Sequence, residues 1–249
     1  MKKNSVVRKS NSKIRIHSKI KKIDWFRVTP ELDKNGFAVV PRLLSVSDCK
    51  SLIKLYEDSS LYRKTVAMER YRFGSGEYKY FDYPLPDFVQ SLRETIYPFL
   101  APIANSWMSE LGIETRYPKN ISGLQKFCHS NDQTKPTALI LKYVKGGFNT
   151  LHQDLYGEVY FPFQAAFFLN EPDQDYEGGD FVMTQSIPRS QSKAIVLKPK
   201  QGDMILFTTN FRPIQGKKRH YRAVMKHGVS EVYSGERHTL GIIFHDATN

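Results

Sequence analysis

Residues 137–170, "TALILKYVKGGFNTLHQDLYGEVYFPFQAAFFLN", decide the fold. Two runs rich in β-branched and aromatic residues, 137–144 and 159–170, flank a segment dense in Gly, Asn and Asp. Runs of that length bounded by turn residues read as strands. Moving toward the C-terminus, the pattern returns in "GDFVMTQ", "KAIVLKP", "DMILFTT", "YRAVMKHGV" and "RHTLGIIF". No helix-length crossover separates these strands. A closed or sandwiched antiparallel architecture is therefore expected, and a doubly wound parallel sheet is not. Pro162 places its strand at an edge or a bulge, and Gly178 and Gly179 permit a sharp entry into "DFVMTQ".

Toward the N-terminus the texture changes. "GFAVVPRLLS" reads as a strand, after which Ser45 caps an amphipathic helix with Asp48 at its third position. Cys49, Leu52, Ile53 and Tyr56 recur at helical spacing and face the core. Over 87–111, Leu92, Ile96, Leu100, Ile103, Trp107 and Leu111 predict two successive or kinked helices interrupted by Pro98 and Pro102, with Gly112 as the stop. Residues 70–83, "RYRFGSGEYKYFDY", read either as an irregular hairpin packed on the body or as a mobile substrate lid. Helices first and strands later define an α+β class. We expect one domain over 23–249, with helical support at 30–112 and a β core at about 120–249.

The 249-residue chain is 40% hydrophobic and 25% charged, enough for one sizeable core. Its two cysteines, Cys49 and Cys128, make no disulfide framework, and a reducing cytoplasm is the expected compartment. No window approaches the roughly 18 apolar residues of a membrane span. The net charge of +12 is uneven: residues 1–22 hold nine Lys and Arg and no acid, leaving 28 basic against 25 acidic residues afterwards. This tail, expected to be disordered, is either a solvated extension or a contact for nucleic acid or an anionic surface. Lys217, Lys218, Arg219 and Arg222 form a second basic segment, a solvated loop or a guide for a polyanion.

Chemistry enters with His152 and Asp154. Taken singly, His152 reads as an ordinary hydrogen-bonded histidine, and Asp154 as a turn residue. A metal such as Fe(II) that holds a cosubstrate together with O2 needs two histidines and one carboxylate on one face. The downstream histidines are His220, His227, His238 and His245. A dicarboxylate cosubstrate also needs a buried cation, ideally a guanidinium fork, and Arg237 supplies one. "KHGV" and "RHTLGIIF" read as neighbouring strands joined at "YSG", a hairpin that brings His227 beside Arg237. His220 lies in "GKKRHYR", a solvated loop. His129, His238 and His245 read as structural, since strand alternation turns His238 away from the Arg237 face.

The combination of His152-x-Asp154, His227-Gly-Val, Arg237 ten residues later and Tyr143 nine residues before His152 resembles the Fe(II)/2-oxoglutarate-dependent dioxygenases, particularly their prolyl-hydroxylase-like branch. "LHQDLYGEVYFPFQ", "LNEPDQDYEGGDFVMTQ" and "HGVSEVYSGERHTLGIIFHDA" resemble an uncharacterised bacterial oxygenase family provisionally described as acting on alkylated DNA. The resemblance implies a double-stranded β-helix, or jelly roll, with N-terminal flanking helices. It implies Fe(II) on His152, Asp154 and His227, with 2-oxoglutarate anchored by Arg237 and assisted by Tyr143 and Thr239. The implied reaction hydroxylates a C–H bond with O2 and releases succinate and CO2. The chain departs from bacterial alkylated-DNA dealkylases in having Leu141 where they carry Asn and Ile243 where they carry a second Arg. The substrate stays open between a protein or amino-acid side chain and an alkylated nucleobase. A non-catalytic jelly-roll binder and a nucleic-acid-binding module driven by the tail are the alternatives outside enzymology.

Overall fold

The computed structural model describes residues 14–248. In chain order the helices are α1 (14–21), α2 (Trp25–Asn35), α3 (Val46–Leu55), α4 (Asp87–Glu110) and α5 (Ile121–His129). The strands are β1 (Phe37–Val40), β2 (Tyr62–Ala67), β3 (Gly74–Ser75), β4 (Glu77–Phe81), β5 (Leu139–Tyr143), β6 (Phe148–His152), β7 (Phe163–Phe168), β8 (Tyr176–Gly178), β9 (Phe181–Ser186), β10 (Lys193–Leu197), β11 (Met204–Thr208), β12 (Phe211–Gln215), β13 (His220–Val229), β14 (Val232–Gly235) and β15 (Arg237–Ile243). Among the described residues no helix is long and apolar enough to cross a membrane.

Two antiparallel sheets form the core. One runs β1-β11-β7-β15-β5-β4-β2, the other β10-β9-β13-β6-β3. The chain passes between them repeatedly, so that β11-β7-β15-β5 and β10-β9-β13-β6 are the two four-stranded halves of a jelly roll. The seven-stranded sheet is covered on both faces, which is why β7 and β11 are buried at every position and lack hydrophobic alternation. Phe163, Ala165 and Phe167 of β7 face Trp107 and the other apolar residues of α4, with Trp107 and Phe163 ring centroids 4.5 Å apart. Ala166 and Phe168 turn the other way and pack with Phe181, Met183 and Phe207 between the sheets.

Local chemistry sets the helix ends. Ser45 and Asp48 form the expected reciprocal capping box on α3. Gly36, in the left-handed region at φ 77°, ends α2. Of the two expected forms, two successive helices or one kinked helix, the first is excluded: α4 is one helix that runs through Pro98 and Pro102. Each interior proline costs about 3 kcal/mol. Burying each of Leu92, Ile96, Leu100, Ile103 and Trp107 returns roughly 1.5–3 kcal/mol, so tertiary packing outweighs the local preference.

Other expectations shift as well. The unstructured tail was expected through residue 22. Residues 1–13 lie outside the described residues, but 14–21 are helical with Ile16 and Ile20 buried. Arg15 pairs with Asp48, and Lys19 Nζ donates to the Leu43 carbonyl at 2.8 Å. An apolar pair at i and i+4 hides among these charges and anchors the segment. The region read as helical support, 30–112, also contains β1 to β4. Within it, 70–83 contributes β3 and β4, which pair with β6 and with β2 and β5, so it is a wall of the fold. Pro162 precedes β7, a central strand, so no edge or bulge is needed to accommodate it.

Candidate metal and cosubstrate site

His152 ends β6, and His227 lies directly opposite it on β13. Their rings stand 4.3 Å apart. The chain leaves β6 and places Asp154 against both: His152 Nε2 is 3.6 Å from Oδ1 and His227 Nε2 is 3.3 Å from Oδ2. One ligand atom from each residue falls within 4.8 Å of the others. Two imidazoles and a carboxylate on one face suit a metal that keeps open positions for other ligands. His152 Nδ1 lies 2.7 Å from the Thr150 carbonyl. That contact fixes the proton on Nδ1 and leaves the Nε2 lone pair facing Asp154.

Electrostatics support the arrangement. Burial by itself raises the pKa of Asp154, but the neighbouring His152 and the hydrogen-bonding His227 hold the carboxyl well below its usual range. His227 is pushed down by burial first and by His152 second, so its imidazole is kept neutral. Phe207 and Phe181 pack on the His227 ring at 4.8 and 5.9 Å.

Arg237 and Thr239 start β15 and point into the same cavity, of about 210 Å³, as the triad and Tyr143. Arg237 is only 2% exposed, yet no carboxylate pairs with it among the described residues. Its NH1 donates to Thr239 Oγ1 at 2.9 Å, and its Nε has no partner. Tyr143, Phe168 and Tyr176 surround the guanidinium at 5.5, 5.4 and 6.0 Å. The buried Tyr143 hydroxyl has Asn149 beside it but no partner at full hydrogen-bond geometry among the described residues. A buried cation with unused donors beside an unpaired hydroxyl is the counterpart of an anionic ligand, and these residues fit a dicarboxylate. Gly178 and Gly179 have φ of 73° and 61°, as the turn into β9 requires. Gly179 does more: a Cβ there meets Arg237 Cδ at 2.9 Å.

The expected His227–Arg237 hairpin is absent. β13 and β15 belong to opposite sheets, and "YSG" lies in β14, which pairs with β8. The two residues line one cavity from opposite sheets and not from the strands of one hairpin. His220 is outside the cluster, 3.7 Å from Glu110. His238 faces away and meets Asn170 Oδ1 through its backbone N–H and Nδ1. His245 Nδ1 accepts from the Phe161 N–H at 3.2 Å, and His129 pairs with Asp246. The basic tip at 217–219 precedes β13, about 23 Å along an extended strand from His227. Arg222, the fourth residue of that basic segment, lies within β13 with its guanidinium 4.8 Å from the Phe211 ring centre.

Sequence reading missed three residues. Tyr156 donates to Asp154 Oδ1 at 2.7 Å, Tyr80 donates to Tyr156 at 3.0 Å, and Gln164 places an unpartnered buried amide nitrogen at the cavity wall. Tyr156 follows Asp154 by two positions, but only β4 pairing brings Tyr80 to it.

The two four-stranded halves define a protein of the double-stranded β-helix class. A Pseudomonas putida prolyl-4-hydroxylase shares the fold at TM-score 0.51 and 14% identity, over 90% of this chain and 100% of that one. A Burkholderia pseudomallei oxidoreductase of the 2OG-Fe(II) oxygenase family matches at TM-score 0.52 and 15% identity, over 92% and 95%. The particular family follows from sequence. Residues 76–247 match Oxygenase-NA, described as "Oxygenase, catalysing oxidative methylation of damaged DNA", and the chain belongs to that family. An uncharacterised Mycobacterium tuberculosis protein is 41% identical over 167 residues, 67% of this chain and 72% of its own length.

Proposed function

We propose that this oxygenase depends on Fe(II) and 2-oxoglutarate and hydroxylates a C–H bond, releasing succinate and CO2. The observation that carries the reading is the carboxylate-free, buried Arg237 sharing one cavity with the His152–Asp154–His227 cluster. His152, Asp154 and His227 hold the iron. Iron with 2-oxoglutarate and O2 supplies the oxidising chemistry. Arg237 receives the distal carboxylate, Thr239 orients one guanidinium nitrogen, and the Tyr143 hydroxyl adds a hydrogen bond. Tyr78, Tyr80 and Phe207 line the cavity and limit water around the reacting atoms. Both cysteines are buried thiols, in keeping with a reducing cytoplasm.

The family description names damaged DNA, and the substrate we infer is an alkylated nucleobase, for which hydroxylation of an N-alkyl carbon is the first step of its removal. Tyr71 and Phe73 add a specific observation. They stack at 5.5 Å and 17°, are 54% and 45% exposed, and Phe73 lines the cavity. Exposed rings flanked by Arg70 and Arg72 suit a base more than an aliphatic side chain. The test is succinate release under O2 with Fe(II), comparing alkylated DNA, peptide pools and no substrate. Stimulation by DNA alone supports the nucleobase reading, and stimulation by peptides alone replaces it. No succinate in any arm, with the metal loaded, leaves a non-catalytic binder.

A further inference from the structure

Asp154 is held from behind. Its Oδ1 accepts from the Tyr156 hydroxyl at 2.7 Å, and that hydroxyl in turn accepts from Tyr80 at 3.0 Å. Tyr80 is itself fixed: it is 7% exposed, it sits in β4 between β2 and β5, and the Arg63 guanidinium lies 4.8 Å from its ring centre. The Arg63 Nε donates to the Pro136 carbonyl at 3.0 Å. Asp154 lies in the irregular segment after β6, where no ladder hydrogen bonds restrain it. A carboxylate there has free torsions, and a metal centre needs it in one of them.

Resting on the metal-centre reading above, we propose that Tyr156 is a positioning residue, steadied by Tyr80, that orients Asp154 toward the metal. Its hydroxyl takes up Oδ1, the oxygen 3.6 Å from His152 Nε2, and leaves Oδ2, 3.3 Å from His227 Nε2, free of it. The donation from Tyr80 polarises the Tyr156 hydroxyl and strengthens its bond to Asp154. A merely structural role predicts something different: loss of either hydroxyl then changes folding stability and leaves metal affinity alone.

Co(II) titrated anaerobically into the full-length metal-free protein, followed by its visible absorption, separates the cases. Tyr156→Phe is expected to weaken Co(II) binding by roughly 10- to 100-fold, the usual effect of removing an outer partner of a ligand, and to shift the absorption bands. Tyr80→Phe, which keeps the Tyr156–Asp154 bond, is expected to weaken it less and in the same direction. Wild-type affinity and spectrum in Tyr156→Phe overturn the proposal while leaving the metal centre intact. If wild type binds no Co(II), or binds it equally well after Asp154→Ala, the metal-centre reading fails and takes the proposal with it. Should Tyr156→Phe fold poorly, Tyr80→Phe decides alone, and unchanged Co(II) affinity there counts against the relay.

Discussion

Of the arginines buried among the described residues, Arg93 and Arg237 are the deepest, and they are treated oppositely. Arg93, 1% exposed, has its charge matched: NH2 donates to Asp246 Oδ1 and to the Phe244 carbonyl, both at 2.6 Å, and NH1 meets the Tyr83 hydroxyl. Asp246 also meets Tyr83 and His129, so the group ties α4 and α5 to the segment after β15. Arg237 is equally buried, but its neighbours among the described residues are the Thr239 hydroxyl and the rings of Tyr143, Phe168 and Tyr176, none of them a carboxylate. A buried charge without a counter-ion is costly. Each leaves its Nε without a partner among the described residues, so the contrast lies in the charge: the first is matched by Asp246 within the fold, and the second meets no carboxylate there.

The largest effect is expected at the finished pair. Arg93→Met strands Asp246 in the core and should lower unfolding free energy by about 3–5 kcal/mol, read by chemical denaturation. A drop under 1 kcal/mol breaks the contrast. Arg237→Leu should leave the metal-free protein as stable as wild type, or more so. Its 2-oxoglutarate binding should weaken by about a hundredfold or more, as for other truncated charge-assisted pairs, measured by calorimetry with Mn(II) in place of iron. Next in size is a crossed test. With metal present, 2-oxoglutarate at about a hundred times its dissociation constant should stabilise wild type by about 2.7 kcal/mol. Arg93→Met should retain that gain, and Arg237→Leu should lose it.

The smallest effect concerns pH. Burial first, then Lys142, pushes His238 down to about 4 from an ordinary 6.5. In the unfolded chain this group takes a proton as pH falls through 6.5, while the folded group resists until about 4. The unfolded state therefore binds more protons in that window. The contribution of neutral His238 is complete above 6.5, and about 2 kcal/mol of it is lost by pH 5. His238→Gln should flatten the stability profile between pH 7 and 5. An unaltered slope places the titration elsewhere.

Much of the site could be read from the chain. The His152, Asp154 and His227 residue types, Arg237, and the opposite facings of Thr239 and His238 follow from ligand chemistry and period-two alternation, both local properties. The helix at 14–21 was also legible in Ile16 and Ile20 but was masked by surrounding charge. The continuity of α4 was not: two prolines argued against it, and only packing on β7 outweighs them. The route from His227 to Arg237 was misread, because "YSG" signals a turn whether or not its flanking strands pair.

The sequence by itself determined which groups are available for chemistry and how they alternate along each strand, since these depend on residue identity and backbone period. The tertiary structure alone decided that His227 and Arg237 line one cavity from opposite sheets, that Arg93 finds Asp246 153 residues away, and that Tyr80 reaches Tyr156. Such contacts depend on which strands become neighbours, and that is set by burying both faces of one sheet at once, a condition no local window of residues contains.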